Sequence, residues 1–303
     1  MGSKRIAVLL AAFNGSQWID EQIDTILAQR GVTVELFISV DQSTDDTLAR
    51  CYQRASSDQR VHVLPQSRKF GSASANFFHL LATVPFEEFD LVALSDQDDL
   101  WLPDKLQRAA HQLQAQGSEA YSSNVIAFWS DGRTRLLHKA QPQVAYDHFF
   151  EAAGPGCTYV FTQALANLIK AKVTEQAEVL AAVALQDWYL YALVRASGRA
   201  WFIDPEPGMR YRQHVNNLVG ANVGIRQSLA RLRRIHEGWW FAQIRLIARL
   251  VGCPSPLRDQ LFNGRVGLIW LAVHARHCRR RTRDQVYFAV LCVLQAISRG
   301  GRP

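Results

Sequence analysis

Four short apolar-rich runs, each closed by a polar turn and followed by a helix-periodic stretch, fill the first hundred residues. Ile6 to Phe13 is uninterrupted, as is Leu91 to Leu94 within Phe89 to Leu94, while Val34 to Val40 and Val61 to Leu64 are apolar-rich runs broken by Glu35, Ser39 and His62. Apolar runs with no polar alternation read as strands buried on both faces, the signature of a parallel sheet. After the first run, Asn14-Gly15-Ser16 forms a turn and helix cap, and Ile19, Ile23, Ile26 and Leu27 then share one helical face. Ser43-Thr44-Asp45-Asp46 offers caps and first-turn acids to a second helix ending near Ala55, and Asn76 to Leu81 lies in a third. The order βαβαβαβ specifies an α/β fold, a mainly parallel sheet flanked by helices through right-handed crossovers.

Loops after parallel strands open on one edge, where α/β sheets bind ligands. Three such loops are distinctive: Ala12-Phe13-Asn14-Gly15, Asp41-Gln42-Ser43-Thr44-Asp45, and Ser95-Asp96-Gln97-Asp98-Asp99. Carboxylates crowded at one edge repel one another unless a cation neutralises them. Mg²⁺ takes oxygen ligands and completes its shell with water and substrate phosphates. The competing reading is a solvated acidic turn capping the helix after Pro103. Asp41 can accept hydrogen bonds from a nucleobase or ribose, or serve only as a turn residue. Neither a GxGxxG fingerprint nor a GxxxxGK[ST] loop is present, which disfavours dinucleotide and Walker-type phosphate binding.

A net charge of +7 over 303 residues conceals a division. Residues 1–220 hold 19 Lys and Arg against 24 Asp and Glu, whereas residues 221–303 hold 15 Arg against Glu237, Asp259 and Asp284. Asp204 to Gly208 and the polar stretch Asn216 to Gly224 are the natural breaks, giving a domain over 1–220 and a basic region over 221–303. Beyond Gly224, Ile225, Leu229, Leu232, Ile235 and Trp239 recur at helical spacing among Arg226, Arg231, Arg233 and Arg234. Trp240, Phe241, Ile244, Leu246 and Ile247 continue the run, and Arg276 to Arg281 adds a charge cluster. Basic amphipathic helices suit the headgroups of an anionic membrane; a helical cap on the catalytic domain with solvated arginines is the alternative. Five scattered cysteines without a CxxC pair argue against a disulfide framework. His274, His277 and Cys278 lack the second ligand pair that a zinc site needs. The strand beginning at Ile6 leaves no room for a signal peptide. Val286 to Ser298, the longest uncharged apolar run, falls short of the about 20 residues that span a bilayer.

The motifs now in view resemble the inverting, GT-A-fold family 2 of nucleotide-sugar glycosyltransferases. They are Ala11 to Gly15, Asp41 to Thr47, Gly71 with Asn76, Ser95 to Trp101, Pro103-Asp104-Lys105-Leu106, Gln186-Asp187-Trp188, and Tyr211-Arg212-Gln213-His214-Val215-Asn216, together spanning roughly residues 5–220. The forms S-D-Q-D-D-x-W and Y-R-Q-H-x-x-N are similar to bacterial rhamnosyltransferases of surface polysaccharide. One departure is Val40, where the family often carries an acid before Asp41. The resemblance implies a Rossmann-like sheet with a basic helical C-terminal extension. It implies a divalent cation, Mg²⁺ or Mn²⁺, held by Asp98 and His214, and Asp187 as the base that deprotonates the acceptor hydroxyl. The donor side would comprise Ala12, Phe13, Asn14, Asp41, Arg68, Gly71, Asn76, Asp96, Gln97, Asp99 and Arg212; the acceptor side would comprise Trp101, Gly156 and Trp188. Each has a plainer alternative: Asp187 as a helix cap, His214 as a buried hydrogen-bonded histidine, Arg68 and Arg212 as surface charges, Gly154 to Cys157 as a turn, and Trp101 as core.

The expected activity is metal-dependent, inverting transfer of one sugar, L-rhamnose from dTDP-L-rhamnose, to a lipid-linked glycan such as a lipopolysaccharide core. The expected location is cytoplasmic, peripheral on the inner face of the bacterial cytoplasmic membrane. Rival readings are a UDP-sugar donor and a sugar-nucleotide nucleotidyltransferase, the latter lacking its basic glycine-rich loop. A nucleic-acid-binding protein is a third, disfavoured because the acidic edge would repel a polyanion. A processive synthase would carry Q-x-x-R-W and membrane spans.

Overall fold

The computed structural model describes residues 3–66, 68–214 and 238–298. Two compact units divide the chain, one of Met1–Ala140, Gly154–Asp187 and Arg199–Ala221, the other of Gln141–Ala153, Trp188–Gly198 and Asn222–Pro303. Two segments from the first 200 residues thus belong with the C-terminal part. The boundary expected at residue 220 lies outside the described residues.

In the first unit, β1 (Lys4–Ala12), β2 (Val32–Val40), β3 (Val61–Val63) and β4 (Leu91–Ser95) stand in the order β4-β1-β2-β3. All three pairings are parallel. Beyond β4 the sheet continues with β9 (Val160–Thr162), β6 (Ala120–Ser123) and β10 (Trp201–Asp204). Here β9 runs antiparallel to both β4 and β6, while β6 and β10 are parallel. A second sheet orders β5 (Leu100–Trp101), β11 (Met209–Arg212), β7 (Val125–Phe128) and β8 (Thr134–Leu137). The helices α1 (Ile19–Leu27), α2 (Thr47–Ser57), α3 (Ala73–Thr83), α4 (Lys105–Gln116) and α5 (Gln163–Glu175) connect the strands; α6 (Gln186–Ala196) begins here, and from Trp188 it belongs to the second unit.

Strand alternation sends Ile6, Val8, Leu10 and Ala12 into one core with Leu36, Ile38 and Ala93. The apolar stripe of α1 (Ile19, Ile23, Ile26) and that of α4 (Leu106, Ala109, Leu113) close over it. All three α1 residues are fully buried, so Ile23→Ala would cost about 3 kcal/mol. Helix α2 starts through Asp45, whose Oδ1 accepts from the Thr47 amide at 3.1 Å while Oδ2 accepts from the Ser16 amide at 3.0 Å. Burial opposes ionisation of Asp45, but the hydrogen bonds from Thr47 and Ser16 outweigh it and hold the carboxyl at about 2.

The second unit contains α7 (Trp239–Val251), α8 (Gly264–Val273) and α9 (Thr282–Ser298). At its centre Asp147 is fully buried and accepts from the Tyr191 hydroxyl at 2.7 Å, with Arg195 at 3.4 Å and Arg280 at 3.7 Å. Burial pushes the Asp147 carboxyl up, yet His148 and the two arginines bring it below its usual range. Phe150, Trp188, Trp240 and Phe288 form an aromatic cluster beside it. Of the two readings of Trp239 to Ile247, a membrane-facing run or a helical cap, the second matches α7, whose Phe241, Ile244 and Ile247 are interior. Within the arginine cluster, Arg279 donates to the Phe150 carbonyl and Arg280 to that of Ala152, so these two serve the fold. The stretch from Ile225 to Ile235 lies outside the described residues. No helix among the described residues is long and apolar enough to cross a membrane.

Candidate active site

The loop after β1 is fixed by its neighbours at the sheet edge. Asn14 adopts φ 45°, a left-handed conformation that Asn tolerates better than most residues. Its amide donates to Ser43 Oγ (3.0 Å), and its Oδ1 accepts from the Thr44 amide (2.8 Å). The Gly15 amide donates to Thr47 Oγ1 at 2.7 Å. From the loop after β4, Gln97 clamps Phe13 twice: its Oε1 accepts from the Phe13 amide and its Nε2 donates to the Phe13 carbonyl, both at 2.8 Å. A Cβ on Gly15 would stand 2.1 Å from Gln97 Oε1, so this clamp requires glycine. The strand ends at Ala12, and Phe13 is 50 % exposed at the edge.

Asp41, expected to face a base or ribose, is buried and organises a second loop. Its Oδ1 accepts from the amides of Gln42 and Phe70 and its Oδ2 from that of Gly71, all at 2.7 Å. Gly71 takes φ 74°, and the exposed Arg68 lies over the Phe70 ring in the same loop. Asn76, also placed on the donor side, is buried on α3, and its Nδ2 donates to the Ser39 and Ala12 carbonyls. Its amide ties the ends of β1 and β2 together.

The three acids after β4 fill the middle of the edge. Asp98 Oδ2 lies 2.6 Å from His214 Nε2, and the imidazole stacks on Trp18 at 4.2 Å. Asp99 is 1 % exposed; its Oδ1 accepts from the Arg212 amide, while its buried Oδ2 has no hydrogen-bond partner among the described residues. Ligand atoms of Asp96, Asp99 and Cys157 lie within 4.8 Å of one another. Burial, then the Asp98 charge, with a further contribution from Asp187, pushes the Asp96 carboxyl up to about 7. Burial and the charges of Asp98 and Asp96 push Asp99 well above its usual range too. Arg212 braces the cluster: Nε donates to the Asp98 carbonyl at 2.7 Å, and Nη2 meets Glu21 at 2.6 Å.

Two residues beneath this cluster escaped the sequence reading. Lys105 is 1 % exposed; its Nζ donates to the Cys157 carbonyl at 3.1 Å and sits 3.1 Å from the centroid of the Trp101 ring. Burial lowers the Lys105 ammonium to about 7, resisted by Cys157, Asp99 and Asp96. Burial and the same two carboxylates push the Cys157 thiol well above its usual range, so it stays neutral. The P-x-K-L spacing pointed to Lys105 only as part of a motif; a lysine in an amphipathic helix ordinarily reads as surface.

On the far side of β4, Gly156 packs against Asp187, where an added Cβ would lie 3.2 Å from Asp187 Cβ. Asp187 is half-buried in the first turn of α6, and its carbonyl accepts from the Tyr159 hydroxyl at 3.3 Å. Trp101, expected on the acceptor side, is core: it is 4 % exposed and covered by Lys105, so its ring is closed to a sugar. Trp188 is likewise buried and donates to the His148 carbonyl at 3.1 Å.

This donor set fits a hard divalent cation. Asp98 and His214 pair at one place, the Asp96 and Asp99 oxygens come together at another, burial and then neighbouring carboxylate charge raise Asp96 and Asp99, and Asp99 Oδ2 is buried with no hydrogen-bond partner among the described residues. The neutral thiol of Cys157 makes a poor ligand beside them.

Residues 4–164 match the family described as "Glycosyltransferase like family 2". The chain is similar to the dTDP-rhamnosyl transferase RfbG of Shigella flexneri, with 38 % identity over 94 % of this chain and 99 % of that one. It is also similar to the succinoglycan biosynthesis protein ExoO of Rhizobium meliloti (strain 1021), at 30 % identity over 48 % of this chain and 42 % of the other. Among solved structures, S. aureus TarS 1–349 in complex with UDP has TM-score 0.58 at 12 % identity, covering 96 % of this chain and 88 % of TarS. The mannosyltransferase PcManGT from Pyrobaculum calidifontis, in complex with GDP-Man and Mn²⁺, has TM-score 0.54 at 15 % identity, covering 100 % and 77 %. These two carry the same parallel-rich architecture. Taken with the acid-lined sheet edge, the family match and the near full-length likeness establish that this chain belongs to glycosyltransferase family 2 and is a glycosyltransferase of the GT-A fold.

Proposed function

We propose that the enzyme transfers one L-rhamnose from dTDP-L-rhamnose to a lipid-linked bacterial surface glycan, with inversion at the anomeric carbon. The 38 % identity to a dTDP-rhamnosyl transferase over 94 % of the chain carries the choice of donor. Residues 1–220 are the catalytic domain in this reading, and 221–303 a basic helical region that holds the enzyme to the cytoplasmic face of an anionic membrane.

The proposed roles follow the sheet edge. The loops of Phe13, Asn14 and Gly71, the last held in place by the buried Asp41, take the nucleoside together with Arg68. Asp96, Gln97 and Asp99 take the ribose and donor sugar, and Arg212 faces the diphosphate. Asp98 and His214 would hold the divalent cation, which when bound supplies Lewis-acid stabilisation of the leaving diphosphate. Asp187 accepts the acceptor hydroxyl's proton as that oxygen bonds to the anomeric carbon. The bond from that carbon to the diphosphate oxygen breaks on the opposite face, releasing dTDP. A single displacement of this kind inverts the centre, and one base suffices for it. Gly156 leaves room for Asp187 to approach the acceptor.

Calorimetry with dTDP- and UDP-sugars, with and without Mn²⁺, tests the reading. Metal-dependent binding of dTDP-rhamnose, stronger than that of dTDP-glucose and lost in Asp98→Asn, is expected. Preference for a UDP-sugar would overturn the donor assignment, and metal-independent binding would overturn the cation.

A further inference from the structure

Two helices of the second unit keep large apolar side chains in solvent. On α9, Val286, Tyr287, Val290, Val293, Leu294 and Ile297 are all exposed, and they recur at spacings of one, three and four residues. Such spacing lines up one continuous stripe along the helix. On α8, which packs alongside α9, Val266, Ile269 and Val273 form a second exposed row. The nine residues are 44 % to 74 % exposed, whereas Phe288, Cys292 and Ala296 on the opposite side of α9 are buried. Soluble monomers rarely expose a contiguous apolar patch of this extent without a partner for it.

Charge identifies the partner. Residues 257–298 carry seven arginines against only Asp259 and Asp284. Arg279 and Arg280 are bound within the unit, but Arg265, Arg276, Arg281 and Arg283 are exposed at the start of α8, between the two helices and at the start of α9. An apolar stripe with a tyrosine and an arginine rim matches the interface of an anionic bilayer, where side chains enter the acyl boundary and guanidinium groups meet phosphate. A second copy of this chain would bring the same arginines against one another, so self-association is the less favourable occupant.

We propose that the α8–α9 face is the surface by which the enzyme lies on anionic lipid. The proposal rests on the membrane attachment proposed above and gives it a location: α8 and α9 rather than α7, whose apolar residues are interior.

Flotation of the full-length protein with vesicles of phosphatidylcholine, alone or mixed with phosphatidylglycerol, tests it. Wild type is expected to float with the anionic vesicles only. Val286→Asn/Val290→Asn/Leu294→Asn should weaken partitioning at least roughly tenfold. Arg276→Gln/Arg281→Gln/Arg283→Gln should weaken it by roughly a hundredfold. All six positions are exposed, and unchanged melting temperatures confirm intact folding. Anionic binding that survives both variants would overturn the assignment of this face while leaving membrane attachment standing. Absence of wild-type binding would overturn both. A wild-type dimer in vesicle-free light scattering that the asparagine variant dissolves would assign the face to a second copy instead.

Discussion

His214 Nε2 stands 2.6 Å from Asp98 Oδ2 across 116 positions of sequence, with its ring held flat on Trp18 at 4.2 Å. The pair joins the segment after β11 to the loop after β4, and the Trp18 ring lies flat on the imidazole. With His214 as the proposed cation ligand, replacing its ring would remove that ligand, whereas replacing Trp18 would only loosen it. We therefore expect His214→Ala to weaken Mn²⁺ activation by about tenfold to a hundredfold, and Trp18→Ala to have a smaller effect of the same sign. Metal titrations of the transfer rate would show this, and equal activation in all three proteins would remove His214 from the cation site.

Asp187 and Gly156 make a matched pair of tests. Asp187→Asn should lower kcat by a factor of about 10² to 10⁴ with little change in donor affinity, the usual range for a lost general base. Gly156→Ala places a methyl group 3.2 Å from Asp187 Cβ and displaces that side chain by a few tenths of an ångström. A smaller fall in kcat with unchanged donor KM is expected. A change in donor KM alone would place both residues on the wrong side of the reaction.

The acidic cluster gives the metal-free protein an unusual pH profile. Asp96 rises from 3.8 unfolded to about 7 folded. Between those values the folded state binds more protons, so stability falls as pH rises from about 4 to about 7. Lys105 drops from 10.5 to about 7, so the unfolded state binds more protons above neutrality and stability recovers as pH rises further. His79 and His148, whose pKa burial lowers, act in the opposite sense over this range, so the Asp96 contribution is the part of the pH 5 to pH 7 change in melting temperature, measured in chelator, that depends on Asp96. Asp96→Asn should remove that contribution, and Mn²⁺ should stabilise more at pH 7 than at pH 5. A pH 5 to pH 7 change that is the same in Asp96→Asn as in the wild type would contradict the burial of this carboxylate.

At Gly15 any side chain collides with Gln97. Gly15→Ala should break the two hydrogen bonds between Gln97 and Phe13, raise donor KM severalfold and leave kcat nearly intact. Gln97→Ala should produce the same change without added strain. If Gln97→Ala instead lowers kcat alone, its role lies with the reacting sugar.

The parallel half of the sheet was legible in the sequence because β1 to β4 are apolar-rich runs, unbroken from Ile6 to Ala12 and from Leu91 to Leu94, and their turns carry cap residues. The positions of the acid-bearing loops were legible for the same reason: Asp41 follows β2, and Asp96, Asp98 and Asp99 follow β4. The reversal of β9 was not, since Val160–Thr162 is too short to carry a period. Nor was the burial of Lys105, Trp101 or Asp41, because a polar or aromatic residue at a strand end looks alike whether it faces a ligand or a neighbouring backbone amide. The pairing of Asp147 with Arg195 and Arg280 joins three distant segments and leaves no local signature. It also explains why arginines that read as a polyanion-binding cluster turn out partly structural.

The reversed strand has an evolutionary corollary. With β9 running against β4, the segment from Gly154 to Thr158 arrives at the edge from the opposite chain direction, on the other side of β4 from β1, β2 and β3. The loops proposed to read the nucleotide and the loop proposed to face the acceptor therefore grow from separate halves of one scaffold, with β4 and its acids as the fixed divider. Exchange of one loop set need not disturb the other, so descendants of such a chain can change what they glycosylate while keeping the same donor.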